Sequence, residues 1–137
     1  MKIFLSLLLI LYSSTSFAIE NINLTKGKNF FEKKDFEQAR IEFEKSIVYN
    51  PKNIDSYIYL SKIYSEVKNE QEEKKNIKTA LLLDPKNEEA LLLMIKLNIK
   101  EGDYSVAEAN YKILSSVCTK LCNELNEINL IIKKFKG

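Results

Sequence analysis

The sequence contains no histidine, no tryptophan, three glycines, two cysteines and two prolines in 137 residues. Without histidine it lacks the most common general base and the most common zinc ligand. Neither of the glycine-rich phosphate-binding patterns, GxGxxG and GxxxxGK[ST], occurs. The 21 basic and 19 acidic residues give a net charge of +2, so charge alone does not indicate a nucleic-acid-binding protein. These absences argue against nucleotide-dependent and histidine-dependent enzymes.

The N-terminal segment differs from the rest of the chain. Lys2 is the only charged residue in residues 1–18, and the apolar run Ile3–Leu11 follows it. Ser16 and Ala18 then place small residues at the −3 and −1 positions of a cleavage site. This order predicts a secretory signal peptide in residues 1–18, cleavage after Ala18 and export, to the periplasm if the source is bacterial. The alternative is a retained anchor, although the run is about half of the ~20 apolar residues that a bilayer span requires.

The remaining residues, 19–137, repeat themselves at a spacing of 34. Three sets of equivalent residues share this spacing. The short polar residues are Asp35, Asn69 and Asp103, the large apolar residues are Phe43, Ile77 and Tyr111, and the prolines are Pro51 and Pro85. A constant period near 34 is typical of stacked helical hairpins. An unrelated helical bundle is the alternative, but a bundle needs only apolar stripes and not this period.

Helix start and stop signals fall at the same spacing. Asp35, Asn69 and Asp103 each stand where a side-chain oxygen can cap the first turn of a helix. Pro51 and Pro85 end the preceding helices, because the residue before proline avoids the α region. The pattern predicts two helices per repeat.

These residues resemble the tetratricopeptide repeat, a helix–turn–helix unit, over about residues 20–121. The resemblance divides them into units at about 20–53, 54–87 and 88–121. It implies an all-α fold, an α-solenoid of about three tetratricopeptide hairpins plus a C-terminal capping helix. The matching residues are Gly27, Phe30, Ala39, Phe43, Ser46 and Pro51 in unit one; Tyr57, Leu60, Ser61, Tyr64, Ile77, Ala80 and Pro85 in unit two; and Leu91, Met94, Gly102, Asp103, Tyr104, Ala107 and Tyr111 in unit three.

The sequence departs from the repeat pattern at several positions. Glu73 stands where a small helix-packing residue is expected, Asn98 replaces an aromatic residue, and Thr119 replaces the closing proline. The first turn of the second helix in unit two has no apolar residue before Ile77. We therefore expect residues 70–76 to be the least protected helical segment.

A single apolar stripe follows the third repeat and predicts a helix over about residues 121–136. The stripe consists of Leu121, Leu125, Ile128, Ile132 and Phe135. We expect this helix to cap the last repeat, because repeat arrays need a terminal element with a polar outer face. A dimerisation or partner-binding helix is the alternative use of the same stripe.

Cys118 and Cys122 flank the predicted junction between the last repeat and the terminal helix. In an exported chain an even pair is first interpreted as a disulfide, and exported bacterial tetratricopeptide proteins with a similar pair agree with this. Free thiols remain the alternative. A redox dithiol would more typically be CxxC, and a zinc site would need two further ligands.

The resemblance also implies a binding groove lined by the first helix of each hairpin. Residues carried over to groove positions are Lys28, Lys62 and Lys96 in one row, Leu24, Ile58 and Leu92 one turn earlier, and Phe31 and Ile99 nearby. Lysines beside apolar residues suit an acidic, hydrophobic segment or a C-terminal carboxylate. The alternative is that Lys28 and Lys62 form ordinary i,i+4 pairs with Glu32 and Glu66 on solvated helices.

The predicted function is a non-catalytic scaffold that binds a protein or peptide partner. We expect no cofactor, no metal, no nucleic-acid partner and no stable membrane insertion after signal cleavage. The acids are spread along helix faces, and no spacing singles out a catalytic pair. A structural subunit of an envelope assembly that uses the terminal helix is the alternative, with an enzyme as a third class.

Overall fold

The computed structural model describes residues 22–136, and within them every regular element is helical. The predicted signal peptide and its cleavage site lie outside the described residues. The elements are α1 within 22–32, α2 (Phe36–Tyr49), α3 (Ile54–Glu66), α4 (Glu70–Leu83), α5 (Glu88–Lys100), α6 (Tyr104–Val117), a 3₁₀ turn (Cys122–Glu124) and α7 (Leu125–Lys136).

Short polar side chains start the five helices α2 to α6. In each case an oxygen of the capping side chain accepts a hydrogen bond from the backbone N–H three residues later, which satisfies one of the orphan donors of the first turn. The caps are Asp35, Asn53, Asn69, Asn87 and Asp103, at 3.0–3.2 Å. The acceptor column seen in the sequence therefore marks helix starts.

The first helix of each hairpin is followed, two residues after its last residue, by a residue in the left-handed region. Lys34, Lys68 and Gly102 have φ values of 61°, 58° and 77° and are again 34 apart. This conformation turns the chain back within two residues, as at helix C-termini generally. Glycine takes it without strain, whereas each lysine does so at a steric cost.

Successive helices pack against each other and divide the core into consecutive clusters. One cluster joins α1, α2 and α3 around Phe43, and others join α3, α4 and α5 around Ile58 and Ile77. The last joins α5, α6 and α7 around Ile95 and Leu114. Each hairpin therefore buries its apolar faces against its neighbours, as in repeat arrays.

The apolar face of the terminal helix α7 packs against the last repeat of the same chain. Ile128 and Ile132 are buried in the last cluster, with Leu121 and Leu125 packed against it. Phe135 is half exposed, and its ring stacks on Tyr104 at 5.3 Å between centroids.

The start of this helix differs from the sequence prediction, because the α-helix begins at Leu125 and not at residue 121. Leu121 has φ −104° and ψ 14°, and a 3₁₀ turn precedes the helix. The backbone N–H groups of residues 119–121 donate to the Glu88 carboxylate, and the α-helix begins four residues after this bound segment.

Candidate peptide-binding groove

An open pocket of about 670 Å³ lies between α3, α5 and the segment that leads into α7. Its lining combines apolar residues with both signs of charge. The residues are Ile58, Leu92, Leu93 and Leu121; Lys62, Lys86, Lys96 and Lys120; Asp55, Asp84, Glu88, Glu89 and Glu124; and Asn87 and Thr119.

The three lysines of the predicted row pair with carboxylates of the following hairpin or the terminal segment. Lys28 Nζ lies 2.7 Å from a carboxylate oxygen of Asp55. Lys62 forms the same kind of pair with Glu89. The pairs cross from one first helix to the next, so Glu32 and Glu66, the i,i+4 partners of the alternative interpretation, are not the ones used.

The third pair extends this pattern beyond the repeats. Lys96 Nζ lies 2.6 Å from Glu124, which belongs to the 3₁₀ turn before α7. The terminal segment therefore supplies the carboxylate that a fourth hairpin would have supplied.

The ring of Tyr59 in α3 lies beside the first two lysines of the row. The Nζ atoms of Lys28 and Lys62 lie 5.3 and 4.9 Å from its ring centroid, within cation–π range. The ring itself stacks on Phe43 at 4.9 Å and meets the edge of Phe31 at 5.2 Å. Sequence reasoning missed Tyr59, because the equivalent residue of the third repeat is Leu93 and no repeated column signals an aromatic residue there.

Partial burial alone would lower the pKa of Lys28, but the hydrogen bond and the charge of Asp55 outweigh it and raise that pKa above its ordinary value. Lys28 is therefore charged at neutral pH and engaged with its internal partner.

The apolar residues of the predicted groove belong mostly to the core. Ile58 and Leu92 are 2% and 6% exposed, although parts of both reach the pocket. Leu24 and Phe31 pack against the cluster around Phe43, and Ile99 packs against the last cluster. The structure thus brings Lys62, Lys96, Ile58 and Leu92 to one pocket and leaves Lys28, Leu24, Phe31 and Ile99 outside its lining.

One pocket residue that the sequence did not single out organises the segment before α7. The Glu88 carboxylate accepts hydrogen bonds from Thr119 Oγ1 at 2.7 Å and from the backbone N–H groups of Thr119, Lys120 and Leu121 at 2.8–3.1 Å. These bonds, that of the Thr119 hydroxyl first, lower the pKa of Glu88 to about 2. They also explain the departure from the repeat pattern at 119, because proline has no N–H to donate.

The two cysteines lie at the ends of this same segment. The Cα atoms of Cys118 and Cys122 are 5.5 Å apart. This separation falls within the range that a disulfide requires, about 4.4–6.8 Å. A disulfide between them would close the loop of residues 118–122, whose backbone N–H groups donate to Glu88.

Two other features are absent from the part of the chain that the structure describes. Among residues 22–136, no group of three or more cysteine and acidic side chains is placed to hold a metal ion. No helix in that range has the length and apolar character needed to cross a membrane.

No protein-family model and no curated protein sequence matches the chain, whereas solved structures do. The TPR2B domain of yeast Sti1, in its complex with pHsp70, superimposes with a TM-score of 0.74 at 17% identity, covering 87% of this chain and 97% of that one. The Yersinia enterocolitica type III secretion chaperone SycD, in complex with a peptide of the translocator YopD, gives 0.75 at 10% identity, covering 85% and 91%.

A third structure is the second TPR domain of human RPAP3 with the HSP70 peptide SGPTIEEVD, which gives 0.68 at 16% identity and covers 86% and 98%. At these identities the similarity shows the fold. Residues 22–136 form an all-helical tetratricopeptide-type solenoid, with stacked hairpins and a terminal helix.

Proposed function

We propose that this protein is a non-catalytic interaction module that binds an extended segment of a partner polypeptide in the pocket between α3, α5 and residues 119–124. The observation that carries the proposal is the pocket itself, which is large enough for several residues of a peptide and presents lysines and carboxylates over an apolar floor. Structures of the same fold are complexes with pHsp70, with a peptide of the translocator YopD and with an HSP70 peptide.

The burial of the apolar face of α7 favours partner binding in the groove. The alternative is that the terminal helix makes the contacts of an envelope assembly. Ile128 and Ile132 are already buried against α5 and α6. A partner that bound this stripe would have to displace α7 from the core, at a cost of about 1.5–3 kcal/mol for each large apolar side chain exposed.

Site-specific crosslinking of the exported chain tests this function. A photoreactive residue at Lys120 is expected to crosslink a partner in the native compartment, whereas one at Lys78 of α4, outside the pocket, is not. Capture should fall about tenfold or more when Lys62 and Lys96 are both changed to glutamate, because the new carboxylates would lie beside Glu89 and Glu124 and repel them, which disrupts the surface that the partner contacts.

The matched control changes Lys78 and Lys133 to glutamate, which alters the net charge equally away from the pocket. Partner crosslinks that map to α7 and survive the Lys62 and Lys96 changes would contradict the proposal and support the envelope subunit.

We further propose that the protein is exported, begins at Ile19 after cleavage and carries a disulfide between Cys118 and Cys122. The order of residues in the N-terminal segment and the Cα separation of the two cysteines support this. Intact-mass measurement with alkylation, before and after reduction, is expected to show the loss of residues 1–18 and alkylation only after reduction. A retained N-terminus, or alkylation without reduction, would contradict the respective claim.

A further inference from the structure

The lysine–carboxylate pairs of the groove form a regular series. Lys28 pairs with Asp55 and Lys62 with Glu89, both 27 residues later, and Lys96 pairs with Glu124, 28 residues later. The first two pairs join the first helix of one hairpin to the start of the next first helix, and the third joins α5 to the turn before α7. The three lysines that would attract an acidic partner thus already have internal carboxylate partners.

The charge of the pocket points in the same direction. Its lining contains four lysines and five carboxylates, a net charge of −1. The carboxylates of Asp55 and Glu89 are more exposed than the lysines with which they pair, at 54% and 46% against 35% and 29%. A partner that approaches these two pairs therefore meets carboxylates at least as readily as ammonium groups, whereas at the third pair Lys96 is more exposed than Glu124, at 55% against 42%.

An acidic partner faces two obstacles in such a groove. Its carboxylates must replace internal ones that are covalently tethered beside each lysine and thus present at high effective concentration. The displaced carboxylates remain in the pocket and repel the newcomer, because like charges brought together on binding are unfavourable. A segment of low net charge encounters neither obstacle, since the internal pairs stay in place.

We propose that Asp55, Glu89 and Glu124 determine the specificity of the groove: they act as built-in competitors that exclude densely acidic peptides and favour an extended partner segment of low net charge. This inference rests on the proposed function of the groove. It differs from the expectation drawn from the lysine row alone, which was an acidic, hydrophobic segment or a C-terminal carboxylate.

The test measures binding of two labelled synthetic peptides, one with several acidic residues at a free C-terminus and one with the acids replaced by amides. The variant Asp55→Asn, Glu89→Gln, Glu124→Gln frees the three lysines. It is expected to bind the acidic peptide at least about tenfold more tightly than the wild type does, since the peptide no longer competes with three tethered carboxylates. The gain should shrink as salt is raised.

A matched control removes three carboxylates that pair within the second helices of the hairpins, by Glu44→Gln, Glu72→Gln and Glu108→Gln. It changes the net charge by the same amount outside the pocket and is expected to leave binding of the acidic peptide within about twofold of the wild type. Adding Lys62→Met to the groove variant should abolish much of the gain, and circular dichroism establishes that each variant is folded.

Two results would overturn the inference. One is wild-type protein that binds the acidic peptide as tightly as the groove variant does. The other is a gain no larger in the groove variant than in the control. Neither result depends on the natural partner, so failure here is separate from failure of the groove crosslinks.

Discussion

The first and second hairpins place different side chains at the same helix crossing. Ala39 of α2 and Glu73 of α4 are 34 residues apart, and both are buried, with exposed fractions of 0% and 6%. Ala107 of α6 fills the third equivalent with 0% exposure. Two hairpins thus use the small side chain that close helix packing favours, and the middle one buries a carboxylate.

The middle hairpin satisfies this carboxylate only in part. Glu73 Oε2 has no hydrogen-bond partner among the described residues. The nearby surface carries ion pairs between Lys100 and Glu70 at 2.8 Å and between Lys74 and Glu101 at 2.6 Å. The pKa of Lys100 is raised, first by its hydrogen bond to Glu70 and further by charges that include Glu73.

The comparison indicates that a stack of hairpins can carry one unfavourable crossing. Stability in repeat arrays is approximately a sum over units and the interfaces between neighbours. The cost of Glu73 therefore stays local, while Ile77 and Ala80 of the same helix remain buried in their clusters.

The largest expected effect comes from giving the first hairpin the residue of the second. Ala39→Glu should lower the free energy of unfolding by about 3 kcal/mol or more, because it overpacks a fully buried site and leaves a buried charge without a partner. Urea denaturation followed by circular dichroism measures this. Ala107→Glu serves as the parallel case in the third hairpin, and a loss below about 1 kcal/mol in both would show that the crossings adapt far more easily than their packing suggests.

A smaller loss of unfolding free energy is expected from a substitution at Gly27, where α1 crosses α2. A Cβ added to Gly27 would lie 2.6 Å from the Phe43 ring, closer than real contacts allow. Gly27→Ala should therefore cost about 1–3 kcal/mol despite the better helix propensity of alanine.

The second hairpin supplies the control at this position. Ser61 already carries a Cβ at 1% exposure, and its hydroxyl donates to the Ile58 carbonyl at 2.7 Å. Ser61→Ala should change the unfolding free energy by less than about 0.5 kcal/mol, since that carbonyl also belongs to the helix ladder. Equal losses in the two variants would mean that the Phe43 ring moves aside.

These positions show how far sequence reasoning reaches in this fold. The caps Asp35, Asn69 and Asp103 predict helix starts because capping is local and involves residues only three apart. Glu73 stands out as a departure from the repeat, but its burial and its unpartnered oxygen depend on neighbouring helices that no local pattern describes.

The groove was less predictable for the same physical reason. The 34-residue spacing places Lys28, Lys62 and Lys96 in equivalent positions, and their role in partner binding stays a prediction. Their pairing with Asp55, Glu89 and Glu124 depends on how far one hairpin lies from the next. Sequence spacing shows which residues occupy equivalent positions in the repeats. It does not show which residues of different hairpins contact each other.

Removing the unusual carboxylate should bring the middle hairpin closer to the other two. Glu73→Ala is expected to raise the free energy of unfolding by about 1 kcal/mol, because it removes a buried unpartnered oxygen and improves helix propensity, at the cost of some packing. Hydrogen exchange should also slow in residues 70–76, which we expect to be the least protected helical segment of the wild type. If these residues are already the slowest to exchange in the wild type, Glu73 is not a weak point.

The third hairpin extends the comparison at its end, where Thr119 stands in place of Pro51 and Pro85 and donates to Glu88. Because folding lowers the pKa of Glu88 from 4.5 to about 2, the folded state binds this proton less readily than the unfolded state does. Its stabilisation of residues 119–121 is therefore present above about pH 4.5 and is lost as the pH falls towards 2. Since Glu88 is only partly buried, we expect a small effect: wild type should have the higher Tm at pH 6, and the difference from Glu88→Gln should disappear near pH 2. A difference in Tm that stays constant across this range would mean that the amide replaces the carboxylate equally poorly at every pH, and that the charge of Glu88 does not hold the segment before α7.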